Sequence, residues 1–119
     1  MTIEYIHIKN SFAHKNSKID FKSGVNYLIG NYGSGKSEAL EMIGFSFFGA
    51  VALRGKASTY PKLEVELVFN YVESKYKIIR TSKDAKILKD NVEVANSSTG
   101  VNNYIIKLLG YDYNIYTLS

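Results

Sequence analysis

Residues 30–37 read Gly-Asn-Tyr-Gly-Ser-Gly-Lys-Ser, which fits the phosphate-binding pattern G-x-x-x-x-G-K followed by Ser or Thr. Glycine lets the backbone of such a loop curl until several N–H groups point at one place, where an anion can bind. A helix that starts at the loop adds the positive end of its dipole there. The pattern therefore predicts binding of a di- or triphosphate.

The side chains of this loop have distinct predicted roles. Lys36 is expected to reach the β- and γ-phosphates, and the Ser37 hydroxyl is expected to ligate Mg²⁺. Glu38 adds a backbone N–H near the phosphates. The pattern predicts a nucleoside di- or triphosphate and Mg²⁺ as cofactors, with Ser37 as the metal ligand. The predicted cofactor-binding residues are Asn31, Tyr32, Gly33, Ser34, Gly35, Lys36, Ser37 and Glu38.

The sequence around the loop supports this interpretation. Residues 25–29 read Val-Asn-Tyr-Leu-Ile, a short apolar run typical of a buried parallel strand. The apolar stripe after the loop predicts a helix over residues 36–48, and Gly49 stands where a helix end favours positive φ. The alternative is a glycine-rich turn before an ordinary helix, and the strand–loop–helix order argues against it.

The rest of the chain predicts an α/β fold. Strands are predicted over residues 2–9, 18–22, 63–70, 76–81, 87–88 and 92–94, with hairpin turns within 71–75 and at Asp90-Asn91. Residues 54–61 are predicted to be an exposed connection. A second helix is expected after a cap at Ser98 or Thr99, with Gly110 as its stop. Together these elements predict a mixed sheet with antiparallel hairpins and the loop helix at its centre.

Composition restricts the class of protein. The chain has 119 residues, which predicts one domain at most, and its 45% hydrophobic and 22% charged content is typical of globular chains. It has no cysteine, which excludes disulfides and thiolate metal sites and favours the cytoplasm. We expect neither a signal peptide nor a membrane-spanning helix. The net charge of +4 permits contact with nucleic acid but does not require it.

Two parts of an ATP-hydrolysing site are missing from the sequence. No apolar strand after the loop ends in Asp or Glu, which would hold Mg²⁺ and position water. The chain also contains no glutamine that could orient an attacking water. Either the chemistry is minimal or the chain is the front part of a longer protein, and the second interpretation fits better.

Several stretches together carry a family resemblance. They are Ile8-Lys9-Asn10, Phe12 with His14, Ile19-Asp20-Phe21, Gly24-Val25-Asn26, the loop, residues 38–49, Lys77-Ile78-Ile79-Arg80 and residues 108–112. In this order the chain resembles the amino-terminal segment of the SMC-like DNA-repair ATPases. These are SbcC-type, ABC-class partners of the double-strand-break nuclease, and phages encode such subunits too. Tyr32 departs from the Asn usual in that family, and could stack on the base, lean over the triphosphate or be exposed.

The resemblance implies a fold and a function. Residues 1–119 would be the amino-terminal part of a P-loop AAA/ABC-type ATPase domain, an incomplete head cut before the Q-loop. The implied function is ATP binding in double-strand-break repair, recombination or replication. The implied partners are a nuclease subunit, DNA and a second head in a homodimer. No catalytic set is complete, Lys36 assists the phosphate, and this chain alone is expected to bind nucleotide weakly with negligible turnover.

Two other functions stay open at this point. A small P-loop phosphotransferase would need a lid rich in arginine, and the chain has only Arg54 and Arg80. A non-enzymatic head fragment would instead bind a partner protein through an unfinished sheet edge.

Smaller candidates each have a structural alternative. His7 is expected to be packed or hydrogen-bonded, whereas His14 could touch the nucleotide by resemblance. The lysines at positions 83, 86 and 89 could contact DNA phosphates or form a solvated edge. Glu64 and Glu66 are expected to form a wet strand face rather than a catalytic pair.

Overall fold

Six strands and two helices make up most of the residues that the structure describes. The computed structural model of the chain describes residues 1–11, 15–21, 34–49 and 62–110, and for residues 34–40 only the backbone. The elements are β1 Thr2–Lys9, β2 Asn16–Asp20, α1 Ser34–Phe48, β3 Glu64–Tyr71, β4 Ser74–Thr81, β5 Ala85–Lys89, β6 Val92–Asn96 and α2 Ser98–Leu109.

The six described strands form one sheet in the order β2-β1-β3-β4-β5-β6. All five neighbouring pairs are antiparallel. Their register aligns one row of aliphatic side chains across five strands, each at most 5% exposed: Ile19, Ile6, Leu67, Ile78 and Ile87. Since a one-residue slip would turn a strand's apolar side chains to the other face, this row fixes the register.

Both helices pack on the face of the sheet that carries this row. Met42 and Phe45 of α1 and Val101 and Ile105 of α2 belong to the same buried cluster as the row. An aromatic chain links the two layers: the ring centroids of Phe47 and Phe69 are 5.3 Å apart, those of Phe69 and Tyr76 5.2 Å, and those of Tyr76 and Tyr104 6.4 Å. The core therefore connects α1 to α2 through β3 and β4.

Several predicted elements are confirmed with small shifts. The first strand and both predicted hairpins are present. The first turn narrows from residues 71–75 to Val72-Glu73, and the second lies at Asp90-Asn91 as predicted. The second strand covers Asn16–Asp20 rather than residues 18–22, because its pairing with β1 runs from Tyr5↔Asp20 to Lys9↔Asn16.

The second helix has a different cap from the predicted one. Neither Ser98 nor Thr99 caps α2, since both lie inside the helix. The cap is Ser97, whose hydroxyl accepts from the Gly100 N–H at 3.1 Å. Gly110 ends the helix at φ 78°, as predicted.

The parallel part of the predicted sheet was assigned to residues 25–29, which lie outside the described residues, as do residues 54–61 and 111–119. Between the described strands, every pairing is antiparallel. Neither α1 nor α2 has the length and apolar character that a membrane crossing requires.

Candidate functional site

The amino end of α1 coincides with the second half of the predicted phosphate loop. The helix begins at Ser34, two residues before the predicted start, so its first turn consists of Ser34, Gly35, Lys36 and Ser37. The first four N–H groups of an α-helix have no acceptor within the helix. Consecutive donors are therefore available where the sequence predicts a phosphate.

The charge around this helix end suits an anion. The first turn of α1 contains no acidic residue, so no carboxylate there offsets the positive end of the helix dipole. Glu38 follows directly and belongs to the second turn. Asn31, Tyr32 and Gly33 lie outside the described residues. The structure thus brings Ser34 to Glu38 together on one helix end.

The carboxyl end of α1 contacts a buried arginine that no motif in the sequence predicts as a site residue. Arg80 lies on β4 and is 1% exposed, and its Nε donates to the Ser46 carbonyl oxygen at 3.2 Å. Burial lowers the pKa of Arg80 to about 10, so the guanidinium stays charged at neutral pH. A signal existed in the sequence: Tyr76, Ile78 and Arg80 share the inward face of one alternating strand.

The same guanidinium reaches the second helix. Arg80 Nη1 donates to Ser98 Oγ at 3.1 Å, and Nη2 donates to Asn102 Oδ1 at 2.8 Å. The position of Arg80 weakens the phosphotransferase hypothesis, because a side chain held between two helices cannot belong to a mobile acceptor-binding lid. Arg54 lies outside the described residues.

The histidine and glutamate candidates have structural partners. His7 Nε2 lies 2.6 Å from Asn16 Oδ1, in agreement with a hydrogen-bonded role. Glu66 accepts from the Tyr5 hydroxyl at 2.5 Å, and Glu64 lies 3.7 Å from Lys9 Nζ. Those two carboxylates therefore belong to a solvated strand face. His14 lies outside the described residues.

The three lysines near the second hairpin do not share one face. Lys86 pairs with Ile79 and Lys89 pairs with the buried Tyr76, so these two lysines point to opposite faces of β5. Lys83 lies in the connection before β5. This distribution favours a solvated edge over a single phosphate-binding patch.

Among the described strands, β6 is last in the sheet order, and it carries a distortion that bears on the hypothesis of partner binding at a sheet edge. The pairing register of β5 and β6 shifts between Ile87 and Leu88, which leaves Val94 as an extra residue. Such a bulge twists an edge strand and makes it a poorer template for another chain.

Comparison with known proteins shows similarity to one family model and to a set of ATPases that share a name. A family model described as an AAA domain matches residues 5–119. A protein of Methanocaldococcus jannaschii named DNA double-strand break repair Rad50 ATPase is 34% identical over 128 residues, covering 98% of this chain and 12% of that protein. Proteins of the same name from Thermoplasma volcanium and Thermoplasma acidophilum are 34% and 33% identical over 90% of this chain. The chain spans 12–13% of the length of these three relatives.

Proposed function

The chain belongs to the AAA domain family, and we propose that it is the ATP-binding amino-terminal segment of an SMC-like ATPase that repairs DNA double-strand breaks. The observation that carries the proposal is the coincidence of the loop pattern with the start of α1 at Ser34. Similarity to proteins named for double-strand-break repair supports the biological setting, with recombination or replication as related settings.

The proposed chemistry of the site is electrostatic. The N–H groups of the first turn of α1, with that of Glu38, hold the triphosphate, and Lys36 places its charge on the β- and γ-phosphates. Asn31, Tyr32 and Gly33 would complete the loop around the phosphates. The residues would position the γ-phosphate, but this chain completes no catalytic set.

Magnesium fits this donor set as an ion shared between protein and nucleotide. No group of three or more His, Cys, Asp or Glu side chains among the described residues could hold a metal ion. Mg²⁺ is commonly held by one or two protein oxygens, substrate phosphates and water, so the Ser37 hydroxyl and the phosphates would suffice. When bound, the ion neutralises phosphate charge.

The remainder of the fold and the assembly are part of the same proposal. Residues 25–29 would form the parallel strand that enters the loop, and residues 1–119 would form the amino-terminal part of a P-loop ATPase head. The chain spans 12–14% of the length of these relatives, and in this proposal further sequence would supply the rest of the active site. The full protein would pair two heads, act with a nuclease subunit on DNA, and work in the cytoplasm, where a cysteine-free chain and ATP both fit.

Calorimetric titration with MgATP tests the site. The purified chain should bind with Kd on the order of 1 mM, a free energy of about −4 kcal/mol, and should show negligible steady-state hydrolysis. Lys36→Ala should lose the binding. The exposed Lys62 provides the matched control, and Lys62→Ala should bind as the unmodified chain does.

Two outcomes would contradict the proposal in different ways. If neither ATP nor GTP binds at millimolar concentration to folded protein, the phosphate site is wrong. If steady-state hydrolysis is measurable and disappears in Lys36→Ala, the site exists but the chain is a complete enzyme rather than one segment of it.

A further inference from the structure

Arg80 is a charge buried at a junction of two helices. It is 1% exposed, and its three hydrogen bonds in the described part of the chain go to a backbone carbonyl, a hydroxyl and an amide oxygen. Its guanidinium also lies 5.9 Å from the ring centroid of Phe45. Since burial of a charge is unfavourable, a buried arginine whose three side-chain nitrogens each donate a hydrogen bond indicates that its geometry matters.

The two helix ends that meet at Arg80 differ electrostatically. The Ser46 carbonyl belongs to the last turn of α1, where the negative end of the dipole favours a cation. Ser98 is the first residue of α2, whose positive end disfavours a cation, and Asn102 lies one turn further along the helix. The dipole of α1 therefore favours its contact with the guanidinium, whereas the dipole of α2 opposes one. The contact with α2 depends on the hydrogen bonds that Arg80 donates to these two side chains.

Gly49 permits this arrangement. It follows α1 directly at φ 79°, and a Cβ built there would lie 2.9 Å from Arg80 Nη1 and 3.4 Å from Ser98 Oγ. Glycine at this position therefore allows the backbone that follows α1 to pack against the guanidinium. The carboxyl end of α1, the guanidinium and the first turn of α2 form one contact.

We propose that Arg80 is a positioning residue that couples nucleotide binding at the amino end of α1 to the docking of α2. α1 is a continuous helix of 15 residues, about 22 Å long, so a tilt at its carboxyl end moves its amino end. The inference rests on the proposed function, because the ligand it concerns is the nucleotide at Ser34 to Glu38.

Coupling of this kind is reciprocal. If nucleotide favours the position of α1 that Arg80 holds, then nucleotide favours docked α2, and undocking α2 weakens nucleotide binding by the same factor. A factor of about 5 lies at the lower end of measured couplings. A merely structural arginine would change the stability of the protein but not the nucleotide affinity of its folded fraction.

The test compares Asn102→Ala with Asn103→Ala. Asn102 accepts from Arg80, whereas its neighbour Asn103 is exposed and has the same effect on helix propensity. MgATP affinity is measured by calorimetry at a temperature where circular dichroism shows all variants folded. Amide hydrogen exchange of α2 is measured with and without MgATP.

The expected pattern is specific to coupling. MgATP should slow exchange in α2 of the unmodified protein and of Asn103→Ala. Asn102→Ala should bind MgATP about fivefold more weakly and lose that slowing. Arg80→Lys, which keeps the charge but cannot form the fork to both acceptors of α2, should behave as Asn102→Ala does.

Contrary outcomes separate the two proposals. Absence of MgATP binding by the unmodified protein would overturn both. If the unmodified protein binds, and Asn102→Ala keeps its affinity and its exchange response, Arg80 is only structural and this inference alone is wrong.

Discussion

Gly49 and Gly110 end the two described helices with almost the same backbone angle, φ 79° and 78°, in different surroundings. A Cβ at Gly49 would lie 2.9 Å from Arg80 Nη1, whereas none of the described residues has an atom within 4 Å of a Cβ at Gly110. Gly110→Ala should therefore lower the free energy of unfolding by about 1–2 kcal/mol, because alanine is unfavourable in the left-handed conformation. Gly49→Ala should lower the free energy of unfolding by roughly 2 kcal/mol more, because its Cβ would displace the Arg80 guanidinium from its hydrogen bonds.

Urea unfolding of both glycine variants measures the difference. Equal losses of unfolding free energy would show that the guanidinium adapts without losing its hydrogen bonds, contrary to the packing at this junction.

Tyr5 should give the protein a distinct response to alkali. Burial, and next the hydrogen bond that its hydroxyl donates to Glu66, raise the pKa of Tyr5 to about 12 from 10. The folded state therefore keeps the proton more tightly than the unfolded state. This contribution to stability is complete below pH 10 and is lost as pH rises from about 10 to 12.

Tyr5→Phe should flatten the fall of unfolding free energy between pH 10 and pH 12 relative to the unmodified protein. Glu66→Gln, which removes the carboxylate from the pair, should flatten it partly. Chemical denaturation at several pH values checks this, and parallel profiles for all three proteins would show that Tyr5 does not contribute.

At the scale of elements, the two hairpins have similar turns made from unlike residues. Val72 and Glu73 have φ of 48° and 64°, and Asp90 and Asn91 have φ of 49° and 70°. Two positive φ values in a two-residue turn indicate type I′, which suits Asn, Asp and Gly and disfavours β-branched valine. The β3–β4 turn therefore carries strain that the β5–β6 turn avoids.

Replacing the strained pair should stabilise the protein. Val72→Asn with Glu73→Gly is expected to raise the unfolding free energy by about 1–2 kcal/mol. The matched change Asp90→Asn with Asn91→Gly should raise it by well under 1 kcal/mol, because that turn already has suitable residues. Thermal and urea unfolding measure both, and an equal gain in the two turns would contradict the explanation by strain.

At the scale of the whole molecule, ligand binding at the amino end of α1 should raise the free energy of unfolding of the protein. A nucleotide that binds only the folded state, present at a concentration ten times its Kd, raises the free energy of unfolding by about 1.4 kcal/mol. For a domain of this size the midpoint of thermal unfolding should rise by about 5 °C. Differential scanning fluorimetry with MgATP measures the rise.

The variants Lys36→Ala and Lys62→Ala serve as test and control for this shift. The first should abolish the rise and the second should retain it. A rise of the same size in Lys36→Ala would mean that ATP stabilises the protein from another place.

Local patterns predicted much of the molecule. The alternation from Leu63 to Phe69 predicted β3, because strand residues two apart share a face whatever the rest of the fold does. Asp90-Asn91 between two short apolar runs predicted the second hairpin, because Asp and Asn favour the positive φ of a tight turn. The phosphate loop is equally local, and its pattern predicted the candidate site before any helix was placed; the side-chain roles there remain predictions.

Other features depended on contacts between distant parts of the chain, and no local pattern specifies them. β2 occupies Asn16–Asp20 because its register is set by β1, and the strand order places β3 beside β1 across a long stretch of sequence. The junction at Arg80 joins residues 34 and 22 positions away, Ser46 and Asn102. Sequence determined which elements form and where a polyphosphate is expected; only tertiary packing decided which strands pair and that a buried charge joins the two helices, because both depend on side chains far apart in the chain.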